Sequence, residues 1–225
     1  GYGWVITMDQ DSEVADGCIE ALVEAVVTAP EPDKVAMVGS NRFDHGAYEK
    51  HKWLRPKRGL PFFERVTCDQ AGPDGVSLVI TSGTLTNTAV LNQLGGFRDD
   101  LFIDLVDSEY CLRARKAGFT ILVSCQAQLA HQIGDKKQRN VLGLTLSPMH
   151  HGALRKYYIF RNSIVVARAY GLTFPHWLIF HTLALIEIFV GLVLFEQAKT
   201  TKLKACFRGL FDGLLNRTGK CARKL

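Results

Sequence analysis

The sequence predicts an α/β protein with a mainly parallel sheet flanked by helices, followed by an apolar and amphipathic helical appendage. Three observations lead to this fold class. The apolar run Trp4 to Met8 ends abruptly in acidic residues, and apolar residues recur at helical spacing from Val14 to Thr28. A second apolar run, Lys34 to Gly39, follows, and strand, helix and strand in succession are typical of an α/β unit. The segment 177–195 is nearly all apolar.

The remaining elements follow from the same patterns. Residues 41–75 are rich in charge, Gly, Pro and aromatic side chains, and predict a long loop with short strands. Further strands are predicted at Val76 to Ile80 and Thr120 to Ser124, and helices at Thr88 to Leu94, from Asp107 to Gly118, and at Arg155 to Arg168.

The acidic turn after the first strand is the first candidate site. Asp9 and Asp11 are two residues apart, so extended chain directs both carboxylates to the same side. Ligands of open α/β sheets bind beyond the carboxyl ends of strands. Paired carboxylates suit Mg²⁺ or Mn²⁺ with a bound diphosphate. The alternative is a polar turn in which Asp11 or Ser12 caps the next helix.

A second acidic stretch lies between residues 99 and 109, where five acids occur. Asp107 falls at the predicted start of a helix, where the dipole favours an ionised carboxylate that can act as a general base. The alternative is helix capping in a solvated loop. Ser82, Gly83 and Thr84 form a small-residue turn that permits close approach to a ligand, or an ordinary turn. His131 is a metal ligand or a structural histidine.

Six cysteines, at 18, 68, 111, 125, 206 and 221, include no Cys-x-x-Cys pair and no His/Cys cluster. This spacing argues against a zinc site and a disulfide framework, and it suits a reducing compartment. Charge is unevenly placed: residues 1–150 carry a net charge of −4 and residues 151–225 carry +9. A basic and strongly apolar tail predicts an anionic membrane surface as partner, rather than nucleic acid.

The apolar segment 177–195 has about the length of a bilayer span, which needs roughly 20 residues. His181 and Glu187 lie inside it, and ionisable groups are costly in a bilayer, so an interfacial or protein-packed helix is favoured over a free span. The basic amphipathic pattern of 199–225 predicts a helix on an anionic leaflet.

Several motifs, in this order, resemble glycosyltransferase family 2, which has the GT-A fold, and within it the bacterial rhamnosyltransferases. The motifs are the turn at 9–12, Ile80 to Leu85, Gly95-Gly96-Phe97, Phe102 to Arg115, His131 to Asp135, Arg155 to Tyr158 with Arg161-Asn162, and Arg208 to Gly213.

The resemblance implies an inverting, metal-dependent transfer of a sugar, rhamnose from dTDP-rhamnose, to a lipid-linked glycan or polysaccharide acceptor of the cell envelope. The protein would lie at the cytoplasmic face of the bacterial inner membrane. Residues 1–150 would form the metal and acceptor half of the transferase domain, and 151–225 a membrane-associating region. The implied roles are catalytic base for Asp107; donor diphosphate binding for Asp9, Asp11 and Arg161; acceptor binding for Ser82, Gly83, Thr84, Asp104 and Glu109; and Mg²⁺ or Mn²⁺ ligation for Asp11 and His131.

The sequence departs from the family pattern in two places. The family usually has Glu before the base, where this chain has Val106, so Asp104 and Glu109 remain rival bases. The family also has nucleotide-binding βα units before its Asp-x-Asp strand, so we expect the chain to be N-terminally incomplete. The alternatives are a catalytically incomplete, membrane-peripheral fragment or interaction module, and, less favoured, a metal-dependent phosphodiesterase.

Overall fold

The computed structural model describes the chain apart from residues 1, 11, 45–51, 73–74, 132–138, 142–143, 147–150 and 222–225, and at 43–44, 130–131, 139–141 and 144–146 it describes only the backbone. The strands are β1 (Trp4–Thr7), β2 (Ser12–Val14), β3 (Val35–Asp44), β4 (Trp53–Pro56), β5 (Phe63–Val66), β6 (Thr84–Asn87), β7 (Thr120–His131), β8 (Arg139–Val141) and β9 (Leu144–Leu146). The α-helices are α1 (Cys18–Val27), α2 (Cys68–Ala71), α3 (Thr88–Leu94), α4 (Val106–Lys116), α5 (Ala153–Tyr170), α6 (Pro175–Phe195) and α7 (Lys199–Leu214).

Five strands form one mixed sheet in the order β1-β6-β3-β7-β2. Only the β3–β7 pair is parallel, while β1–β6, β3–β6 and β2–β7 are antiparallel. The α/β class is therefore confirmed, but the expectation of a mainly parallel sheet was wrong. Continuous apolar runs are typical of parallel strands because such strands are buried on both faces, but an antiparallel strand that is buried on both faces gives the same run.

The central strands are buried on both sides, as the apolar runs predict. Met37 and Ile121 pack in one core cluster, and their chain neighbours Val38 and Leu122 pack in another cluster with α1. This follows from the two-residue period of a strand, which sends successive side chains to opposite faces.

The predicted strand at 76–80 was wrong. Val76 and Val79 are buried, but the segment is not a strand; its backbone N–H groups bond to the Ile121 carbonyl, at 2.9 Å, and to the Cys111 thiol, at 3.5 Å. The strand is the next segment, β6, whose threonines are buried against β1 and β3. The apolar run thus correctly indicates that this segment is buried. An irregular segment can also be buried when its backbone N–H and C=O groups are hydrogen-bonded.

The helices agree more closely with the sequence pattern. Asn87 caps α3 by accepting from the Ala89 and Val90 amides, and Gly95, with φ +87°, ends it. Within 41–75, β4 and β5 pair as a short antiparallel hairpin.

One disulfide joins Cys68 and Cys125, 57 residues apart in sequence. The sequence argued against a disulfide framework, and for these two cysteines that expectation was wrong. Cys18, Cys111, Cys206 and Cys221 are not disulfide-bonded. Widely separated single cysteines give no spacing signal, because their pairing depends on how the sheet brings β7 beside α2.

The chain divides into two compact units. We name them the sheet unit (Gly1–Phe97 and Asp107–Ile133) and the helical unit (Arg98–Val106 and Gly134–Leu225). The sequence-based boundary near residue 150 concerned functional regions and stays a prediction.

In the helical unit, α7 packs closely on α5 at two glycines. A Cβ on Gly209 would collide with the backbone carbonyl oxygen of Tyr157, and one on Gly213 would lie 2.7 Å from that of Arg161. Backbone oxygens cannot rotate away as side-chain tips can, so the two helices approach at a distance that only glycine permits.

We therefore expect Gly209→Ala to lower the free energy of unfolding by about 2 kcal/mol, since overpacking outweighs the roughly 1 kcal/mol by which Ala favours a helix. Gly3→Ala is the control, because its Cβ would meet no atom within 4 Å. Chemical denaturation followed by circular dichroism measures both variants. An equal stability of the two variants would contradict the close packing.

Helix α6 is long enough and apolar enough to cross a membrane by length and composition alone. Only 11% of its most apolar 18-residue window is buried. Leu183, Ile186, Val190, Val193 and Leu194 are among its exposed side chains. The described protein residues therefore leave most of this apolar surface uncovered, which does not agree with a protein-packed core helix.

Candidate functional site

The acidic turn after β1 is attached to the 81–84 loop by Ser82. The Asp9 backbone N–H donates to the Ser82 hydroxyl at 3.1 Å, and the Ser12 and Ser82 hydroxyls are hydrogen-bonded at 3.0 Å. Ser82 is buried, so these bonds form away from bulk water. The structure thus fixes the backbone on both sides of the predicted metal motif. Asp11 itself lies outside the described residues.

Asp107 lies at the start of α4, as the sequence predicts, and contacts the same loop. The Thr81 hydroxyl donates to the Asp107 carboxylate at 3.1 Å, and the Thr7 hydroxyl donates to the Thr81 carbonyl oxygen at 2.6 Å. Thr81 therefore connects the end of β1 with the first turn of α4. Asp9 and Asp107, 98 positions apart in the printed sequence, meet in one site of the sheet unit.

Burial raises the pKa of Asp107, and the nearby Asp9 charge acts in the same direction. Hydrogen bonds from Thr81 and the charge of Arg42 oppose this shift without cancelling it. The sequence argument expected the helix N-terminus to favour the ionised form, but loss of hydration dominates here. A carboxylate with a raised pKa is a stronger base than an exposed one, which suits proton abstraction.

Arg42 is the site residue that sequence reasoning missed. It lies on β3, its guanidinium is 5.8 Å from the Trp53 ring centroid, and it is close enough to Asp9 and Asp107 to interact with both carboxylates. Burial lowers the pKa of Arg42, while the two acids raise it. Arg42 is only three residues beyond Gly39, where the predicted strand ended, so a slightly longer strand would have included it. Because the strand was predicted to end at Gly39, Arg42 was assigned to the loop.

Gly83 and Thr84 have structural duties in this loop. Gly83 has φ +69°, and a Cβ there would lie 2.5 Å from the Ser40 hydroxyl. Thr84 is buried, and its hydroxyl donates to the Ile80 carbonyl at 2.5 Å. The acceptor-binding roles implied for Ser82, Gly83 and Thr84 stay predictions, and the described contacts show that these residues shape the loop under Asp9 and Asp107.

The rival bases are placed differently from Asp107. The Glu109 side chain is 1% exposed and accepts from Arg113 at 2.9 Å, so it is a buried ion pair of α4. Asp104 belongs to the helical unit, where it pairs with Arg155 at 3.0 Å. Within the sheet unit, Asp107 is the carboxylate that lies near Asp9, whereas Glu109 is engaged by Arg113 and Asp104 belongs to the helical unit. The acceptor-binding roles of Asp104 and Glu109 stay predictions.

Arg161 is buried in the helical unit, and its donors are used by the protein. It donates to the carbonyls of Leu101, at 2.8 Å, and Asp100, at 3.2 Å. Asn162 adds bonds of 2.8 Å to the Ile103 carbonyl and 2.9 Å to that of Asp104. Together they hold the segment that directly precedes α4.

This segment needs such support because three of its residues have left-handed backbones. Phe102, Asp104 and Leu105 have φ between 64° and 65°, a region that costs non-glycine residues energy. The described contacts therefore give Arg161 a structural role, and its assignment to the donor diphosphate stays a prediction.

The metal prediction rests on Asp11 and His131. The register of β2 and β7 places the backbone of His131 opposite Ser12, which follows Asp11 in sequence. Among the side chains that the structure describes, no group of three or more His, Cys, Asp or Glu is placed to hold a metal. Carboxylate donors with a substrate diphosphate suit Mg²⁺ or Mn²⁺ without a complete protein cage.

No family model matches the chain. A distant and partial similarity links it to the glycosyltransferases. Over 112 residues the chain is 35% identical to the dTDP-rhamnosyl transferase RfbF of Shigella flexneri. The match covers 50% of this chain and 36% of RfbF, so the chain spans little more than a third of that relative's length.

Proposed function

We propose that this chain is part of an inverting glycosyltransferase that moves a sugar from a nucleotide-diphosphate donor to a hydroxyl acceptor. The observation that carries the proposal is the convergence of Asp9, Arg42 and Asp107 beside the Ser82 loop in the sheet unit. The similarity to RfbF supports the same reaction class. Its printed name makes dTDP-rhamnose the first donor to test.

In the proposed reaction Asp107 accepts the proton of the acceptor hydroxyl. The acceptor oxygen then forms a bond to the anomeric carbon from the face opposite the leaving group. The bond between that carbon and the diphosphate oxygen breaks, and the nucleoside diphosphate departs with the electron pair. Arg42 holds a positive charge beside Asp9 and Asp107, which limits the repulsion between the two carboxylates.

We further propose that Asp9, Asp11 and His131 hold Mg²⁺ or Mn²⁺ together with the donor diphosphate. When bound, the ion would neutralise charge on the leaving diphosphate. The fit rests on the hard oxygen donors of the acidic turn and on the register that sets His131 opposite Ser12.

The proposed acceptor is a lipid-linked glycan or polysaccharide of the cell envelope, at the cytoplasmic face of the bacterial inner membrane. The support is the exposed apolar surface of α6 and the mixed surface of α7, where Phe207 and Phe211 are exposed among basic residues. Apolar and cationic surface together favour an anionic membrane.

Titration of dTDP into the purified chain, with and without Mn²⁺, tests the proposal by calorimetry. We expect binding that depends on the metal. Asp9→Asn and Asp11→Ala should each weaken it at least about tenfold, because each removes a carboxylate from the metal and diphosphate site.

Asp33→Asn is the matched control, since Asp33 is an exposed acid in the turn before β3. This variant should bind dTDP like the original chain. An absence of dTDP binding with Mn²⁺ present would refute the proposed donor site in this chain. If dTDP binds equally well without Mn²⁺ and to Asp9→Asn, the assignment of the acidic turn to the metal and diphosphate site is refuted.

A further inference from the structure

A second site lies in the sheet unit, at the β4–β5 hairpin. A cavity of about 510 Å³ is lined there by Arg55, Lys57, Arg58, Glu64 and Arg115, with Pro56 and Gly75 completing it. Small-molecule sites typically have volumes of about 300–1,000 Å³. None of these residues belongs to the Asp9 and Asp107 site.

Two of the arginines are held in place by the protein. Arg55 donates through Nε to Glu64 at 2.8 Å and through a terminal nitrogen to the Gln70 carbonyl at 2.7 Å. Arg115, from α4, donates to the Val76 carbonyl at 2.8 Å. Fixed guanidinium groups lose little conformational entropy when they bind a ligand, so this part of the cavity is preorganised.

The other two cations are on the turn that closes the hairpin. Lys57 and Arg58 are exposed, and the turn is closed by a bond from the Lys57 amide to the Phe62 carbonyl at 2.8 Å. The exposed Lys57 side chain can therefore adjust to a ligand in the cavity.

Among the described lining residues, four cations face a single carboxylate. Glu64 is already engaged by Arg55, with a nitrogen–oxygen distance of 2.7 Å. Burial lowers the pKa of Arg115, because the guanidinium has lost hydration. The described lining residues thus carry more positive than negative charge. Each arginine guanidinium can donate to two phosphate oxygens at once.

We propose that this cavity binds the phosphate groups of an anionic ligand, and that a diphosphate is the smallest ligand that fits it well. The source can be a soluble phosphate ester or a phospholipid or lipid-linked headgroup, because both present the same oxygens. The proposal does not require the transfer reaction, since it shares no residue with the proposed transfer site.

The test is calorimetric titration of inorganic pyrophosphate into the full chain, at low ionic strength and with EDTA to exclude divalent metals. We expect binding that weakens as salt is added, because the exposed cations are screened. The double variant Lys57→Gln/Arg58→Gln should weaken it at least about tenfold, and its melting temperature, measured beside that of the original chain, checks that the variant is folded.

The matched control is Lys52→Gln/Arg65→Gln, which removes two exposed cations near the same hairpin that do not line the cavity. It should bind pyrophosphate like the original chain. Equal weakening by the two double variants would show only general electrostatic attraction and would overturn the proposal, as would an absence of pyrophosphate binding at low salt.

Two further arms identify the source and separate this site from the transfer site. Binding of the protein to vesicles with an anionic phospholipid is compared with its binding to neutral vesicles. If pyrophosphate competes with the anionic vesicles, and this competition is lost in Lys57→Gln/Arg58→Gln, the ligand is a lipid phosphate. If Lys57→Gln/Arg58→Gln does not change vesicle binding, the ligand is a soluble phosphate ester. Asp9→Asn should retain metal-free pyrophosphate binding. If the chain binds dTDP with Mn²⁺ but does not bind pyrophosphate without metal, only the proposed phosphate site in the cavity is refuted.

Discussion

Replacement of Asp107 by asparagine should remove sugar transfer while the fold stays as stable or becomes more stable. General base catalysis contributes typically 10²–10⁴-fold to a rate, so we expect a loss of at least about 100-fold in the transfer rate. Asparagine keeps an oxygen that can accept from the Thr81 hydroxyl. The loss would therefore come from the missing base and not from a disrupted loop.

The stability effect follows from the direction of the pKa shift. The pKa of Asp107 is raised in the folded protein, chiefly by burial, so folding disfavours its ionised form. The ionised group destabilises the fold as pH rises from the unfolded pKa, about 3.9, through the folded pKa, and the full penalty remains at neutral pH. Asp107→Asn removes this penalty, so its stability relative to the original chain should increase over that pH range.

Three measurements decide this prediction: transfer from dTDP-rhamnose, metal-dependent dTDP binding, and thermal stability as a function of pH. Glu109→Gln is the comparison, since it also neutralises an acid of α4 but leaves Arg113 without its buried partner. It should lower stability at neutral pH. A larger loss of transfer per folded molecule in Glu109→Gln than in Asp107→Asn would transfer the role of base to Glu109.

The structure shows which sequence signals carried information and which did not. Helices α3 and α4 could be predicted because their signals are local: the Asn87 cap, the Gly95 stop and the acids in the first turn of α4. The direction of β6 and the Cys68–Cys125 pair could not, because both depend on contacts between segments far apart in sequence. A buried apolar run identified burial in 76–80 correctly, but not its secondary structure.

The candidate site was predictable to a similar degree. Asp9 closely follows β1 and Asp107 lies in the first turn of α4, and positions near the ends of elements can be recognised in a single sequence. Arg42 was not, because its importance comes from β3 continuing to Asp44 and bringing a cation beside two acids that are remote in the chain. The structural contacts of Arg161 were also not predictable, since a basic residue in a helix does not reveal that carbonyls of a neighbouring segment accept from it. Its assignment to the donor diphosphate stays a prediction.

The second large effect is expected at a buried ion cluster of the helical unit. Lys156 donates to one oxygen of Glu196 at 2.7 Å, Lys202 donates to the other at 2.6 Å, and the Lys156 and Glu196 side chains are each 1% exposed. Glu196→Gln would leave the Lys156 ammonium buried with only a neutral acceptor. Because removing one partner of a buried pair is strongly destabilising, we expect a loss of about 3 kcal/mol in the free energy of unfolding.

The pH dependence provides an independent check. Burial alone would raise the pKa of Glu196, but hydrogen bonds and charges from Lys156 and Lys202 outweigh it and lower the pKa. Glu196 thus contributes stability above its unfolded pKa, about 4.3, and this contribution is lost as pH falls through the lower folded pKa. The difference between the original chain and Glu196→Gln should therefore shrink in acid.

The matched control is Glu31→Gln, because Glu31 pairs with Lys34 at 2.6 Å while their side chains are 63% and 56% exposed. Water already hydrates that pair, so the change should alter stability by less than about 1 kcal/mol. Lys156→Met/Glu196→Leu removes both buried charges and leaves Lys202, which is 13% exposed, to reach solvent; it should recover much of the lost stability. Urea denaturation of the four proteins decides the matter. If Glu196→Gln costs no more than Glu31→Gln, or if the double variant is the least stable of the set, the cluster does not act through burial of an unpaired charge.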